Sequence, residues 1–474
     1  MRNVLVIAME AFGSHEERAF SFTYGFPRSA VLIATCVRQW GDSAGLKPHI
    51  LNLDAIVHRL PAEDRDDQAV TKAVDAAVSG AIRSYDPALI CIVSPYTNMA
   101  DWATRVAVTC RTAKPDAVII TGGPHASFLA PTLLCRTDKP FDAVLLGPAE
   151  SKLKHLLQNF DRPRWRFQYP GIATRPQLHG FDDDARTNPV SPPSIDYSIL
   201  DASEVEPDHG AVIMAGRGCP HACPFCLESL YWRQDRIAFD TVAGRVREEL
   251  LGLHRLGVRV YGCGDSLLDM RHSKFTAFCD QAFRGLPLDD HFYVLTRLHM
   301  LCSRGAQGFR AAGGKAIWVG LETANQNLLT SMGKGEVSFM ARDKLAIAKN
   351  AGLRVGAFFM FGYPGETHAS ARETLAFMSD LFEDGFLDYA DCSIFVPYPG
   401  LPMFSNPEDY GLLPRDPYWS EAPRWSHWGR YNEPPVFDLV DLSREDVFGY
   451  WKKAIAIKHA HDIRETSRDA EVQA

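Results

Sequence analysis

No apolar run in this 474-residue chain approaches the ~18–20 residues that a membrane-spanning helix needs. The first apolar stretch, Val4 to Met9, stops at Glu10 and reads as a buried strand, not a signal peptide. That pattern predicts a cytoplasmic protein with reduced thiols and no membrane partner. Basic charge is not in excess either. Lys and Arg number 50 against 58 Asp and Glu, a formal net charge of −8, so the footprint of a nucleic-acid binder is missing. No repeat of solenoid period is apparent. A disulfide framework is disfavoured, because the 11 Cys are odd in number and unevenly placed. What is present is a globular composition, 46% hydrophobic and 23% charged, in a chain too long for one ordinary domain.

Short apolar runs alternate with helical periodicity through the first third of the chain. Asn3–Met9, His49–Asp54, Leu89–Ser94, Ala117–Thr121 and Ala143–Gly147 read as strands covered on both faces. Arg28–Gln39, Asp66–Arg83, Asp101–Thr112, Ala126–Cys135 and Glu150–Asn159 read as the intervening helices. The alternation predicts a doubly wound, flavodoxin-like parallel sheet over residues 1–162, with ligands bound beyond the carboxyl ends of its strands. Residues 163–210, punctuated by proline, predict an extended linker. A second alternating series follows over 211–410. Its six β/α units suit a partial barrel better than a closed one of eight. Residues 411–474 are aromatic and proline-rich, end in a helix-like stretch at Arg444–His461, and predict a short C-terminal capping segment.

Three of the cysteines fall within one loop, directly after the first strand of that second series. The segment reads Gly216-Arg-Gly-Cys-Pro-His-Ala-Cys-Pro-Phe-Cys226. Cys219, Cys223 and Cys226 at this spacing are suited to iron–sulfur ligation. A 4Fe–4S cluster takes four ligands, so three leave one iron open, as in a catalytic rather than a structural metal site. A zinc knuckle completed by His221 is the bland alternative. The other eight cysteines lie in apolar contexts and are expected to be small buried hydrophobes.

This triplet, with Phe225 before its last cysteine and a partial barrel around it, resembles the radical S-adenosylmethionine (SAM) superfamily. The resemblance implies a cluster whose open iron is chelated by SAM. Reductive cleavage then gives a 5′-deoxyadenosyl radical that takes hydrogen from an sp3 carbon. The resemblance also assigns expected SAM contacts at the strand ends. These are Phe225, then Gly264 and Asp265 in Tyr261-Gly-Cys-Gly-Asp-Ser266, and Glu322 in Gly320-Leu-Glu-Thr323. Gly362 in Met360-Phe-Gly-Tyr-Pro-Gly-Glu366 and Pro397 and Tyr398 in Val396-Pro-Tyr-Pro-Gly400 complete the set. Candidate acid/base residues are Asp265, Glu322 and His299, with Asp269 and Glu366 beside them. A small-molecule substrate and an electron donor of flavodoxin or ferredoxin type, or a partner reductase, are the implied partners.

The first domain resembles the N-terminal cobalamin-binding domain of one radical SAM subclass. Ser94 in Ser94-Pro-Tyr96, with Gly122 and Gly123 in Ile120-Thr-Gly-Gly-Pro-His-Ala126, matches the Ser…Gly-Gly pattern that admits the cofactor's nucleotide tail. The departures are an absent Asp-x-His-x-x-Gly, and Arg28 and Pro148 where a corrin would lie. Two outcomes stay open: cobalamin-dependent C-methylation, as in antibiotic biosynthesis, or cobalamin-independent dehydration or deoxygenation of a hydroxylated substrate such as an aminosugar. A methylthiolase-like RNA-modifying enzyme fits less well, since Cys36 falls in a helix and Cys91 in a strand.

Overall fold

A computed structural model of the chain describes residues 2–9, 26–61, 66–93, 97–163, 166–178, 191–200, 204–205, 210–232, 236–265, 267–289, 291–335, 338–415 and 433–473. The side chains of Ser229 and of residues 462–473 are outside that description. Ser94 and the aromatic run Trp419–Tyr431 lie outside the described residues. The chain divides into two compact units. One comprises residues 1–212 with 231–235 and 248–260, and the other 213–230, 236–247 and 261–474.

The first unit is built on β1 (Arg2–Ala8), β2 (Leu46–Asn52), β3 (Leu89–Val93), β4 (Val118–Gly122) and β5 (Ala143–Leu145). These pair in parallel in the order β2-β1-β3-β4-β5. This is the flavodoxin-like order, and its switch point lies between β1 and β3. Val4 to Ala8 are all buried, as strands covered on both faces must be. Helix Asp67–Tyr85 shows why the sequence folds as it does. Asp66 accepts the amide of Ala69 as N-cap, and Val70, Val74, Val78 and Ile82 form one buried stripe. That helix packs with Ala100–Ala113, and Arg28–Trp40 packs with Glu150–Gln158.

The helix expected at Ala126–Cys135 is instead two short ones, Pro124–Phe128 and Ala130–Leu134. Pro131 offers no amide hydrogen for continuing a turn, so a new helix starts there. The described part of the 163–210 segment lies with this unit. β6 (Ile172–Ala173) extends the sheet antiparallel to β5, and Tyr197 is buried.

The second unit carries an open parallel sheet. Its strands are β7 (Ala211–Ile213), β8 (Val260–Cys263), β9 (Tyr293–Thr296), β10 (Ala316–Glu322), β11 (Arg354–Phe361) and β12 (Tyr389–Ile394), ordered as in sequence. A half-barrel of this kind has two edges, and β12 is one of them. Helix Arg444–Gln473 packs against β12. Its Trp451 indole donates to the carbonyl of Cys392 at 2.8 Å, and Val447 and Ala454 are fully buried. Val447 also explains Gly362, whose φ of +77° suits only glycine readily and whose added Cβ would lie 2.8 Å from Val447 Cγ1. A hairpin of β13 (Leu412–Pro414) and β14 (Phe437–Leu439) precedes the helix. No described helix is long and apolar enough to cross a membrane.

Candidate active site

The cysteine loop leaves β7 through a fixed gate. Asp265, at the end of β8, accepts the amide of Ala215 at 2.8 Å with one oxygen and the amide of Gly216 with the other. Gly216 must be small, since a Cβ there would lie 2.7 Å from the carbonyl of Ile237. Arg217 and Ile237 exchange backbone hydrogen bonds of 3.0 and 3.2 Å just beyond it. Asp265 is 2% exposed and both its oxygens face the backbone, so its side chain aims the loop. Gly264 donates its amide to Ile213 at 2.8 Å and continues the sheet.

Cys219, Cys223 and Cys226 are free thiols, each half-buried. Burial pushes the Cys226 thiol up to about 12. Burial also raises Cys223, while the Arg297 guanidinium and the Lys334 ammonium pull it back. Arg297, just after β9, places Nη1 3.9 Å from Cys223 Sγ and gives Nη2 to the carbonyl of Lys334. Lys334 Nζ in turn lies 3.0 Å from Glu322 Oε1. Glu322 sits at a register irregularity of β10 with φ +63°, in the left-handed region. Gly320 makes room for the pair. A Cβ there would lie 2.4 Å from Glu322 Oε1 and 2.7 Å from Lys334 Nζ. The structure thus joins the expected Cys223 and Glu322 through two cations, Arg297 and Lys334, that sequence reasoning missed.

The remaining expected residues gather more loosely. Phe225 meets Tyr363 edge to face at 6.1 Å between centroids, and Tyr363 donates to the carbonyl of Ser331 at 3.2 Å. His221 and His299 are edge to face at 5.7 Å. Pro397 is buried and Tyr398 half-buried. Asp269 is bound to Arg271 at 3.2 Å, beside its own turn. Glu366 is 1% exposed and accepts the Gly362 amide with Oε2. Among the other eight cysteines, Cys36, Cys91, Cys110, Cys263, Cys279 and Cys392 are buried as expected. Cys135 is exposed, and Cys302 is a half-buried helix cap accepting from the Gly305 amide.

In the first unit, Gly123 follows β4 with φ +110°. Gly122 faces β5, where a Cβ would lie 3.2 Å from the carbonyl of Leu145. Arg28 is engaged by Glu249 through Nε at 2.6 Å and Nη2 at 3.0 Å, and Tyr197 donates to the same carboxylate. Pro148 accepts from Lys152 Nζ at 2.7 Å. Tyr231 donates to the carbonyl of Gly147 at 3.0 Å.

Residues 213–378 match the Radical SAM superfamily. These residues form a radical SAM domain. An uncharacterized methyltransferase of Pyrococcus horikoshii is 26% identical over 395 residues, 79% of each chain. An anaerobic magnesium-protoporphyrin IX monomethyl ester cyclase of Cereibacter sphaeroides is 25% identical over 340 residues, 67% of this chain and 52% of the cyclase. Among solved structures, the radical SAM methyltransferase TsrM of Kitasatospora setae, with cobalamin and a 4Fe–4S cluster bound, is similar in fold. Its TM-score is 0.62 at 16% identity, over 87% of this chain and 80% of TsrM. Residues 213–378 thus carry a radical SAM domain, and that domain implies a 4Fe–4S cluster and SAM.

The donor set fits that cluster: three thiols on one loop, with a buried guanidinium against one of them. Among the described residues no three His, Cys, Asp or Glu side chains converge at the spacing of a single metal ion. A cubane, with its irons spread apart, does not ask for that convergence. The first unit has the strand order of a ligand-binding flavodoxin-like sheet and a glycine turn at Gly123 after β4. Arg28, a candidate obstacle, is taken up by Glu249.

Proposed function

We propose that this radical SAM enzyme takes hydrogen from an sp3 carbon of a small polar natural product and adds a methyl group there. The cluster, when bound, supplies the electron that cleaves SAM, and cobalamin, when bound, supplies the methyl carrier. The electron comes from a flavodoxin- or ferredoxin-like donor. Cys219, Cys223 and Cys226 hold the cluster, and the Asp265 carboxylate fixes the loop that carries them. Phe225, backed by Tyr363, offers its face to the adenine. Glu322 and Lys334 form a charged pair of the right chemistry for the amino and carboxylate groups of SAM. Gly264, Gly362, Pro397 and Tyr398 shape the strand ends around it. In the first unit Gly122 and Gly123, with Ser94, receive the nucleotide tail. The juxtaposition of Cys223, Arg297, Lys334 and Glu322 carries the reading.

A second reading is a radical enzyme without methyl transfer, acting by dehydration or deoxygenation on a hydroxylated substrate such as an aminosugar. It is favoured by Gly122, whose missing side chain is already required by Leu145. There His299 or Glu322 is the acid/base group. One product assay separates the two. Hydrogen abstraction converts one SAM to methionine and 5′-deoxyadenosine, and methyl donation converts a second to S-adenosylhomocysteine. Methylation therefore yields the two nucleoside products in equal amounts. 5′-Deoxyadenosine without S-adenosylhomocysteine selects the second reading. Ala at Cys219, Cys223 or Cys226 abolishes both products, and wild-type 5′-deoxyadenosine release from any such variant refutes the cluster assignment.

A further inference from the structure

We infer that Arg297 is a positioning residue that sets the reduction potential of the cluster. The inference rests on the reading that Cys223 is a cluster ligand. Arg297 is 6% exposed, so its charge is poorly screened by water. Its fork is fixed at both ends. Nη2 is committed to the Lys334 carbonyl, and that bond leaves Nη1 facing Cys223 Sγ at 3.9 Å. The two contacts span 37 and 74 positions of sequence, so the guanidinium is held by the fold and not by its own loop. A buried, charged donor aimed at one thiolate stabilises negative charge on that sulfur, and does so more the closer it is held.

One-electron reduction takes an electron from an external donor and adds one negative charge to the cluster. The reduced state gains more from Arg297 than the oxidised state does, so the residue raises the potential and eases the reduction. Lys334 cannot replace it, because its ammonium is paired with Glu322 at 3.0 Å, which cancels most of its charge.

The test is a potentiometric titration of the reconstituted holoenzyme, read by electron paramagnetic resonance of the reduced cluster. Iron content and SAM affinity are measured on the same samples. Arg297→Gln shifts the reduction equilibrium at least about tenfold against the reduced form, which is about 59 mV for a one-electron couple. Arg297→Lys keeps the charge without the fork, so its potential falls between the two. An unchanged potential in Arg297→Gln with full iron content overturns the inference. So does an unchanged potential accompanied by lost SAM affinity, which would assign Arg297 to the cosubstrate. If Arg297→Gln does not assemble a cluster, Arg297→Lys decides: a wild-type potential refutes the proposal and a lowered one supports it. A wild-type protein that binds no iron refutes the cluster reading instead, so the two failures are distinct.

Discussion

Glu366 shows how one buried group makes stability depend on pH. Burial raises its carboxyl from the ordinary 4.5 to about 8, although the Gly362 amide favours the ionised form. The folded protein therefore keeps a proton that the unfolded chain has released. The stability from this group is complete below about 4.5 and is lost as pH rises through about 8. Glu366→Gln retains an oxygen for the Gly362 amide and has no proton to lose. Its melting temperature relative to wild type is expected to climb between about pH 5 and about pH 8.5. A difference that stays constant across that range would show that Glu366 does not carry the raised value. At this scale the sequence was informative wherever chemistry is local. The cysteine triplet and Glu322 announce themselves by residue type and position. Arg297 and Lys334 do not, because an arginine after a strand and a lysine between two glycines are ordinary surface signals. Only the three-dimensional approach of Arg297 to Cys223 reveals their use.

The C-terminal helix is the element with the clearest structural task. Trp451 supplies a hydrogen bond to β12, the edge strand of the parallel sheet, and Val447 sits over Gly362. Trp451→Phe removes the donor and leaves the Cys392 carbonyl without it. The expected cost is about 1–3 kcal/mol in chemical denaturation, with the cluster content unchanged. Removing the helix altogether uncovers β12 and strips Gly362 of its neighbour, so loss of fold and of iron together is expected. A deletion of 444–474 that keeps its iron and loses only turnover would assign the helix to capping the barrel mouth instead. The strands were legible because runs of Val, Ile and Leu between Gly and Pro leave few alternatives. The break within Ala126–Cys135 was not read, although Pro131 marks it. β6 and the buried Tyr197 turn were hidden in a proline-rich stretch, where periodicity is too short to register.

For the whole molecule, the flavodoxin-like order and the sequential half-barrel were both foreseeable from alternating β and α signals. Whether the first unit carries its cofactor is a property of a cavity, and alternation is silent on cavities. Cobalt analysis and an absorption spectrum of the purified enzyme decide it. About one corrin per chain is expected when cobalamin is supplied during expression and reconstitution, following the proposed methyl carrier. A protein that turns over fully with no cobalt removes methylation through this cofactor and leaves the dehydration reading standing.

Glu322 links these scales in one further way. A non-glycine residue at φ +63° holds its backbone at a cost of about 1–2 kcal/mol, and the bond to Lys334 helps to retain it there. Any anion that draws Lys334 away frees Glu322 to leave the left-handed region. The relief then returns part of what breaking the Lys334 bond costs the anion. The latch therefore makes the Lys334 ammonium cheaper to recruit than an unstrained ion pair of the same geometry would be.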